Sequence, residues 1–159
     1  MPAHSAGLLM CRLVNDEIQY FLIHPGGPYY TRKNEGVWSI PKGLPEENEK
    51  ETDLLVTAQR EFFEETGIAP SGTFYDLGTS KTKAGKIIHA WSFLGSWNEH
   101  DGIKSNTFEL EWPPRSGRKI QVPEADRGAW VTYHDACKLI NVNQVCFLDR
   151  AKQHHAPMK

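Results

Sequence analysis

The chain has 159 residues, of which 39% are apolar and 24% charged, with a formal net charge of −2 at pH 7. This is an ordinary soluble, globular composition with enough chain for one real core, and it predicts a single domain over 1–159. So small a charge excludes a general attraction to nucleic acid or anionic membrane, and no apolar run approaches the ~20 residues needed to span a bilayer.

Residues 1–7 lack the basic start and long apolar run of a signal peptide. Cys11, Cys137 and Cys146 are odd in number, lie far apart and show neither a CxxC nor a zinc spacing. They read as reduced core residues of a cytoplasmic protein.

Ser5–Val14 and Ile18–His24 are dense apolar runs separated by Asn15-Asp16, which reads as a strand pair joined by a short turn. Residues 24–36, HPGGPYYTRKNEG, are too rich in Gly and Pro for regular structure and read as a loop. Its Tyr30 suits a base and its Arg32 and Lys33 suit a phosphate, although surface loops also hold such residues for solubility alone. Val37–Ile40 reads as a short strand leading into Pro41-Lys42-Gly43. Gly43 lets the backbone approach a ligand with no Cβ in the way, and Lys42 beside it can hold a phosphate oxygen or simply face solvent.

The chemistry concentrates in residues 43–68, GLPEENEKETDLLVTAQREFFEETGI. A helix is predicted from a cap at Thr52 or Asp53 to Gly67, with Leu55, Val56, Ala58, Phe62 and Phe63 as its apolar stripe and Glu61, Glu64 and Glu65 on the far side. Acids at i, i+3 and i+4 repel by roughly 0.2–0.5 kcal/mol per close pair. Arg60 reaches Glu64 at i+4 but cannot neutralise all three. A hard cation such as Mg²⁺ or Mn²⁺ can, because it selects clustered carboxylate oxygens; without other signals a solvated acidic face is the plainer explanation.

Arg60-Glu61-Phe62-Phe63-Glu64-Glu65-Thr66-Gly67-Ile68 resembles the second half of the Nudix box, G-x5-E-x7-R-E-U-x-E-E-x-G-U, and Gly43 with Glu49 resembles the first half. Ten residues separate Glu49 from Arg60 where the family has seven, so this chain carries three more just before the helix. Glu49, Glu51 or Thr52 then takes the place of the first Glu. The resemblance implies that the Gly43 carbonyl, Glu61, Glu64 and Glu65 hold Mg²⁺ or Mn²⁺, that Glu61 can double as the base, and that Arg60 orients the carboxylates.

Beyond the helix, Phe74–Lys81 and Ile87–Trp97 read as two strands around a turn where Lys81, Lys83 and Lys86 form a cationic group suited to phosphate. His89 reads as a satisfied interior or edge residue. Phe108–Trp112 and Ile120–Val122 alternate and pair as a hairpin around a basic turn that includes Arg115. Gly128–Thr132 reads as a strand and Tyr133–Ile140 as a helix. A last helix over Asn143–His154 is expected to turn Val142, Cys146 and Phe147 or Leu148 inward, with His154 and His155 frayed. Three acids compete to complete the site from outside the box: Glu109, Glu111 and Glu124. The spacing of Glu124 before Trp130 resembles the extra Glu of diadenosine tetraphosphate hydrolases, and Glu124 is chosen over a salt bridge to Arg127.

Short mixed strands with interspersed helices give an α+β class. The resemblance sharpens this to a Nudix-type α/β/α sandwich around a mixed β-sheet. The function it implies is a metal-dependent pyrophosphohydrolase acting on a nucleoside diphosphate linked to another moiety, with dinucleoside polyphosphates such as diadenosine tetraphosphate first. NTPs, ADP-ribose or nucleotide sugars are the alternatives. An isopentenyl diphosphate isomerase would need a cysteine beside the metal, and a regulator with a dead site commonly loses box acids that are all present here. The partner is therefore a small nucleotide, not nucleic acid or membrane, and the sequence assigns no oligomeric state.

Overall fold

The computed structural model describes residues 4–50 and 53–155. Strands β1 (His4–Val14) and β2 (Glu17–Pro25) pair antiparallel through the Asn15-Asp16 turn, where both residues have positive φ. Next come the two-residue strand β3 (Lys42–Gly43), a 3-10 turn (Glu47–Glu49), helix α1 (Leu54–Thr66), β4 (Tyr75–Lys81) and β5 (Ile87–Leu94). The chain then forms β6 (Thr107–Glu111), β7 (Lys119–Pro123), β8 (Ala125–Thr132), α2 (Tyr133–Leu139) and α3 (Val145–His155). The main sheet runs β4-β5-β1-β2-β8, with β1 and β5 parallel and the other neighbours antiparallel, while β6 and β7 form a separate hairpin.

Both faces of this sheet are covered, as the apolar alternation of its strands requires. Ala6, Leu8 and Met10 of β1 pack with Phe21 and Phe93 against Ala58 and Phe62 of α1. Leu9 and Cys11, one residue out of phase, pack with Tyr20 and Leu22 against Phe147, Leu148 and Ala151 of α3. The result is the α/β/α sandwich of a mixed sheet. Among the described residues no helix is long and apolar enough to cross a membrane.

Val37–Ile40 is not a ladder strand. It forms isolated bridges, Ser39 to Ile23 and Trp38 to Ile140, and Pro41 accepts the Leu8 N–H at 3.2 Å. Lys42 and Gly43 then pair with Gly7 and Ala6 of β1. The segment thus bonds first to β2 and then to β1, and this seats Gly43 at the sheet beside α1.

Helix α1 has the predicted ends. The Asp53 carboxylate accepts the Leu55 N–H at 3.0 Å, and Gly67 closes the helix in the left-handed region at φ 77°. Its apolar stripe needs correction, because Val56 and Phe63 are 48% and 53% exposed. They lie on the side of the helix away from Ala58 and Phe62. Glu65 is i+7 of Ala58 and i+3 of Phe62, so it lies next to the core stripe and not on the far side.

Two expectations about the C-terminal segment also fail. Val142 is 74% exposed in a 3-10 turn, whereas Phe147 and Leu148 are both fully buried. His155 is not frayed: it is buried, and its Nε2 lies 2.8 Å from the Oγ of fully buried Ser92. Burial, and then the charge of His154, hold its pKa below the ordinary value. The unfolded chain therefore binds the proton more readily, so this stability is present above about pH 6.5 and is lost as pH falls through the folded-state pKa. The urea midpoint should drop between about pH 7.5 and about pH 5, less so in His155→Gln, which has no proton to gain. Other groups titrate alike in both proteins, and equal slopes would show that His155 contributes nothing.

Candidate active site

The first part of the site is a charge clamp built by the 3-10 turn before α1. The Glu46 N–H donates to Glu49 Oε1 at 3.0 Å in a capping box, which turns the Glu49 side chain inward to 6% exposure. There Glu49 accepts from Thr57 Oγ1 at 3.1 Å and from Arg60 Nε and Nη2 at 2.8 and 2.9 Å. The Arg60 guanidinium holds this carboxyl down to about 2 against the opposing effect of burial. Of the candidates for the first acid of the box, Glu49 makes these bonds, while Glu51 and Thr52 lie outside the described residues.

Arg60 is fully used. Its Nη1 donates to Glu61 Oε1 and Glu64 Oε2, each at 2.9 Å, and its Nη2 also donates to the Leu44 carbonyl at 3.0 Å. One guanidinium therefore fixes the buried Glu49 and two helix acids together. A planar fork of five donors does this where a lysine could not.

These acids open onto a cavity of about 300 Å³ lined by Lys42, Gly43, Leu44, Glu61, Glu64, Glu65, Asn106 and Glu124. A smaller cavity of about 130 Å³ shares Lys42, Glu65 and Glu124 with it and reaches Ile23, Pro25, Ser39 and Ile40. Among the described residues four carboxylates thus converge, three from α1 and one from the link between β7 and β8. A Cβ at 43 would fall on the Glu61 carboxyl, so any other residue there would push that carboxylate from its place.

The electrostatics follow from crowding acids at a partly buried place. Burial, then Glu61 and Glu124, push the Glu65 carboxyl up to about 8, although the Lys42 N–H donates to its Oε2 at 3.1 Å. Burial also raises Glu61, against the pull of Arg60. An all-oxygen donor set suffering from desolvation and like charge is one that a hard divalent cation relieves. Among the described residues no three acid, imidazole or thiol side chains are already gathered as a metal cage. Glu61 and Glu64 instead turn oxygens to Arg60, and each carboxylate keeps a second oxygen free of that bond.

The structure gathers some candidate residues and scatters others. Glu61, Glu64, Glu65, Gly43, Lys42 and Glu124 share the cavity, with Arg60 behind it. Glu124 has no ion pair with Arg127, which lies over the Trp38 ring at 5.3 Å. Glu109 pairs with Lys119 at 3.1 Å and Glu111 accepts the Arg115 N–H, so both belong to the β6–β7 hairpin.

The remaining substrate candidates do not line the cavity. Tyr30, Arg32 and Lys33 stay on their exposed loop, with the Lys33 ammonium over the Tyr30 ring at 5.6 Å. Arg115 is at the hairpin turn, and Lys81 and Lys86 are at the β4–β5 turn. Lys86 lines a different depression, with Lys83 and Lys138, against the end of α2. Asn106 is the residue that sequence reasoning missed, since it stands in a polar stretch with no motif to mark it.

A family model described as NUDIX domain matches residues 5–151. No curated protein matches the chain. Among solved structures, the NUDIX domain of Shewanella oneidensis NrtR complexed with ADP ribose superposes with a TM-score of 0.65 at 14% identity, covering 97% of this chain and 88% of that one. A Caenorhabditis elegans Ap4A hydrolase binary complex gives 0.61 at 18% identity and 96% of both chains. The MutT protein from Methanosarcina mazei Go1 gives 0.58 at 19% identity, over 98% and 97%. At these identities the likeness establishes the fold alone. With a family match over nearly its whole length, the chain belongs to the NUDIX domain family and is a Nudix hydrolase.

Proposed function

We propose that this chain is one domain, from 1 to 159, that hydrolyses a diphosphate bond in dinucleoside polyphosphates such as diadenosine tetraphosphate, using Mg²⁺ or Mn²⁺. The observation that carries the hydrolytic reading is the convergence of Glu61, Glu64, Glu65 and Glu124 on one cavity, with Lys42 as the single cationic residue lining it among the described residues. Nudix hydrolases generally use divalent ions, and here Glu61, Glu64, Glu65 and the Gly43 carbonyl would hold them. When bound, such a cation neutralises diphosphate charge and acidifies water.

The chain's own residues do the rest. Glu124, outside the Arg60 clamp, takes the proton of the attacking water, with Glu61 as the second candidate base. The water oxygen forms the new bond to phosphorus as the bridging P–O bond breaks, and Lys42 offsets charge on the phosphates. Arg60 holds Glu61 and Glu64 in place. A cavity of about 300 Å³ takes a diphosphate and leaves the nucleosides outside it. Tyr30, Arg32, Lys33, Lys81, Lys86 and Arg115 would meet those outer parts only if their loops close toward the cavity.

The dinucleoside polyphosphate choice draws on the fold likeness to the Ap4A hydrolase over 96% of both chains. The likeness to the NrtR domain complexed with ADP ribose makes ADP-ribose the competing substrate. An isomerase is disfavoured because Cys11 lies on the sheet face away from α1, with Cys137 and Cys146 packed on the same side. A cytoplasmic enzyme with no nucleic-acid or membrane partner completes the proposal.

The test is turnover of diadenosine tetraphosphate, NTPs, ADP-ribose and nucleotide sugars with Mg²⁺ or Mn²⁺, with products identified. The expected result is ATP plus AMP from the dinucleotide and no turnover in excess chelator. If ADP-ribose or an NTP is the far better substrate, the substrate assignment is lost and only the hydrolase class stands.

A further inference from the structure

Glu124 is 60 residues from Glu64 in sequence, yet the two backbones are bridged by a single residue. The Asn106 N–H donates to the Glu64 carbonyl at 2.8 Å, and the Asn106 carbonyl accepts the Glu124 N–H at 2.8 Å. Two flanking bonds hold this bridge: Lys104 N–H to the Thr66 carbonyl at 2.9 Å, and Gly26 N–H to the Glu124 carbonyl at 3.2 Å. The carbonyls of Glu64 and Thr66 belong to the last turn of α1, where no intrahelical donor reaches them, so residues 104–106 satisfy the helix end and carry its position across to Glu124.

The side chain that locks the bridge is Ser105. Its Oγ accepts the N–H of buried Ala125 at 3.0 Å and donates to the Asn106 carbonyl at 2.9 Å. A hydroxyl can donate and accept at once, and here both bonds fall on the residues that bracket the Glu124 N–H. Nothing in this arrangement requires Ser105 to touch the substrate.

We propose that Ser105 is a positioning residue for the reaction, which through its hydroxyl and the Asn106 backbone sets the Glu124 carboxylate at a fixed place relative to the acids of α1. The inference rests on the reading of Glu124 as the acid that takes the proton. Loss of the hydroxyl leaves the Ala125 N–H without its partner and lets the 124–125 backbone shift. A carboxylate displaced by a fraction of an ångström transfers a proton less well, while substrate binding by the other groups continues.

The test is a double-mutant cycle on kcat with Ser105→Ala and Glu124→Gln, together with Ser105→Thr as the variant that keeps a hydroxyl. Ser105→Ala should lower kcat by about tenfold or more, the scale of lost supporting hydrogen bonds, with KM little changed. Ser105→Thr should restore most of it. In the Glu124→Gln background Ser105→Ala should cost nothing further, because the group it positions is gone. If Glu124→Gln is crippled and Ser105→Ala lowers kcat by the same factor in both backgrounds, the positioning role is wrong while the reading of Glu124 stands. Wild-type kcat in Ser105→Ala has the same meaning. If Glu124→Gln itself turns over normally, the reading of Glu124 fails, and the role of Ser105 with it.

Discussion

Glu64→Gln should fold normally and lose on the order of 10²- to 10³-fold in kcat. On the metal reading proposed above the kinetic loss is large, because this carboxylate would hold the cation and weakening that contact would remove a few kcal/mol of charge stabilisation from the transition state. The stability loss is small because the Glu64 side chain is 31% exposed and gives up one i,i+4 contact to Arg60, which is worth about 0.3–0.5 kcal/mol. Arg60 keeps its bonds to Glu49 and Glu61 in the variant. Turnover with saturating Mg²⁺ or Mn²⁺, beside a urea titration, separates the two effects. Near-normal turnover of Glu64→Gln would remove this residue from the metal set, and full activity in excess chelator would remove the metal itself.

Glu49→Gln should behave in the opposite way, with stability as its first loss. Glu49 is buried and bonded to two Arg60 nitrogens, to Thr57 and to the Glu46 N–H. Taking the charge from one member of a buried pair costs about 3–5 kcal/mol when the other is left alone. Arg60 retains Glu61 and Glu64, so about 2–3 kcal/mol is expected here. The urea midpoint should fall with little change in slope, and a shift worth less than about 1 kcal/mol would contradict the clamp.

The pH dependence has a definite sign. Because the folded-state carboxyl of Glu49 is held down to about 2, its contribution is present above the ordinary Glu value and is lost as pH falls toward 2. Wild type should therefore lose stability over that acid range by more than Glu49→Gln does. Activity should fall in the variant as well, since a guanidinium no longer held by Glu49 orients Glu61 and Glu64 less sharply.

What the linear chain determined was local. Thr52 or Asp53 at one end and Gly67 at the other marked the ends of α1, because a cap side chain and a left-handed glycine act within a few residues of themselves, and Asp53 is the cap observed. The three acids of α1 shared one cavity because i, i+3 and i+4 are neighbours on any helix. The β1–β2 turn and the β6–β7 hairpin were legible for the same reason. Apart from the stripe of α1, where Val56 and Phe63 were set on the wrong side of the helix, errors arose where a contact distant in sequence decided the outcome. Val37–Ile40 had the residues of a strand, but its bonds are divided between β2 and the end of α2, so it never forms a ladder. His155 looked like a frayed end until α3 carried it to Ser92 on β5.

The site shows the same division. The spacing of the box left three candidates for its first acid, and the inward turn of residues 47–49 onto Arg60 is what draws Glu49 into the clamp. A resemblance in spacing to the extra Glu of diadenosine tetraphosphate hydrolases proposed Glu124 over Glu109 and Glu111. Only the folded chain supplies the reason it can reach the acids of α1: residues 104–106 bond to the end of that helix and to β8 at once, a pairing that no local pattern encodes.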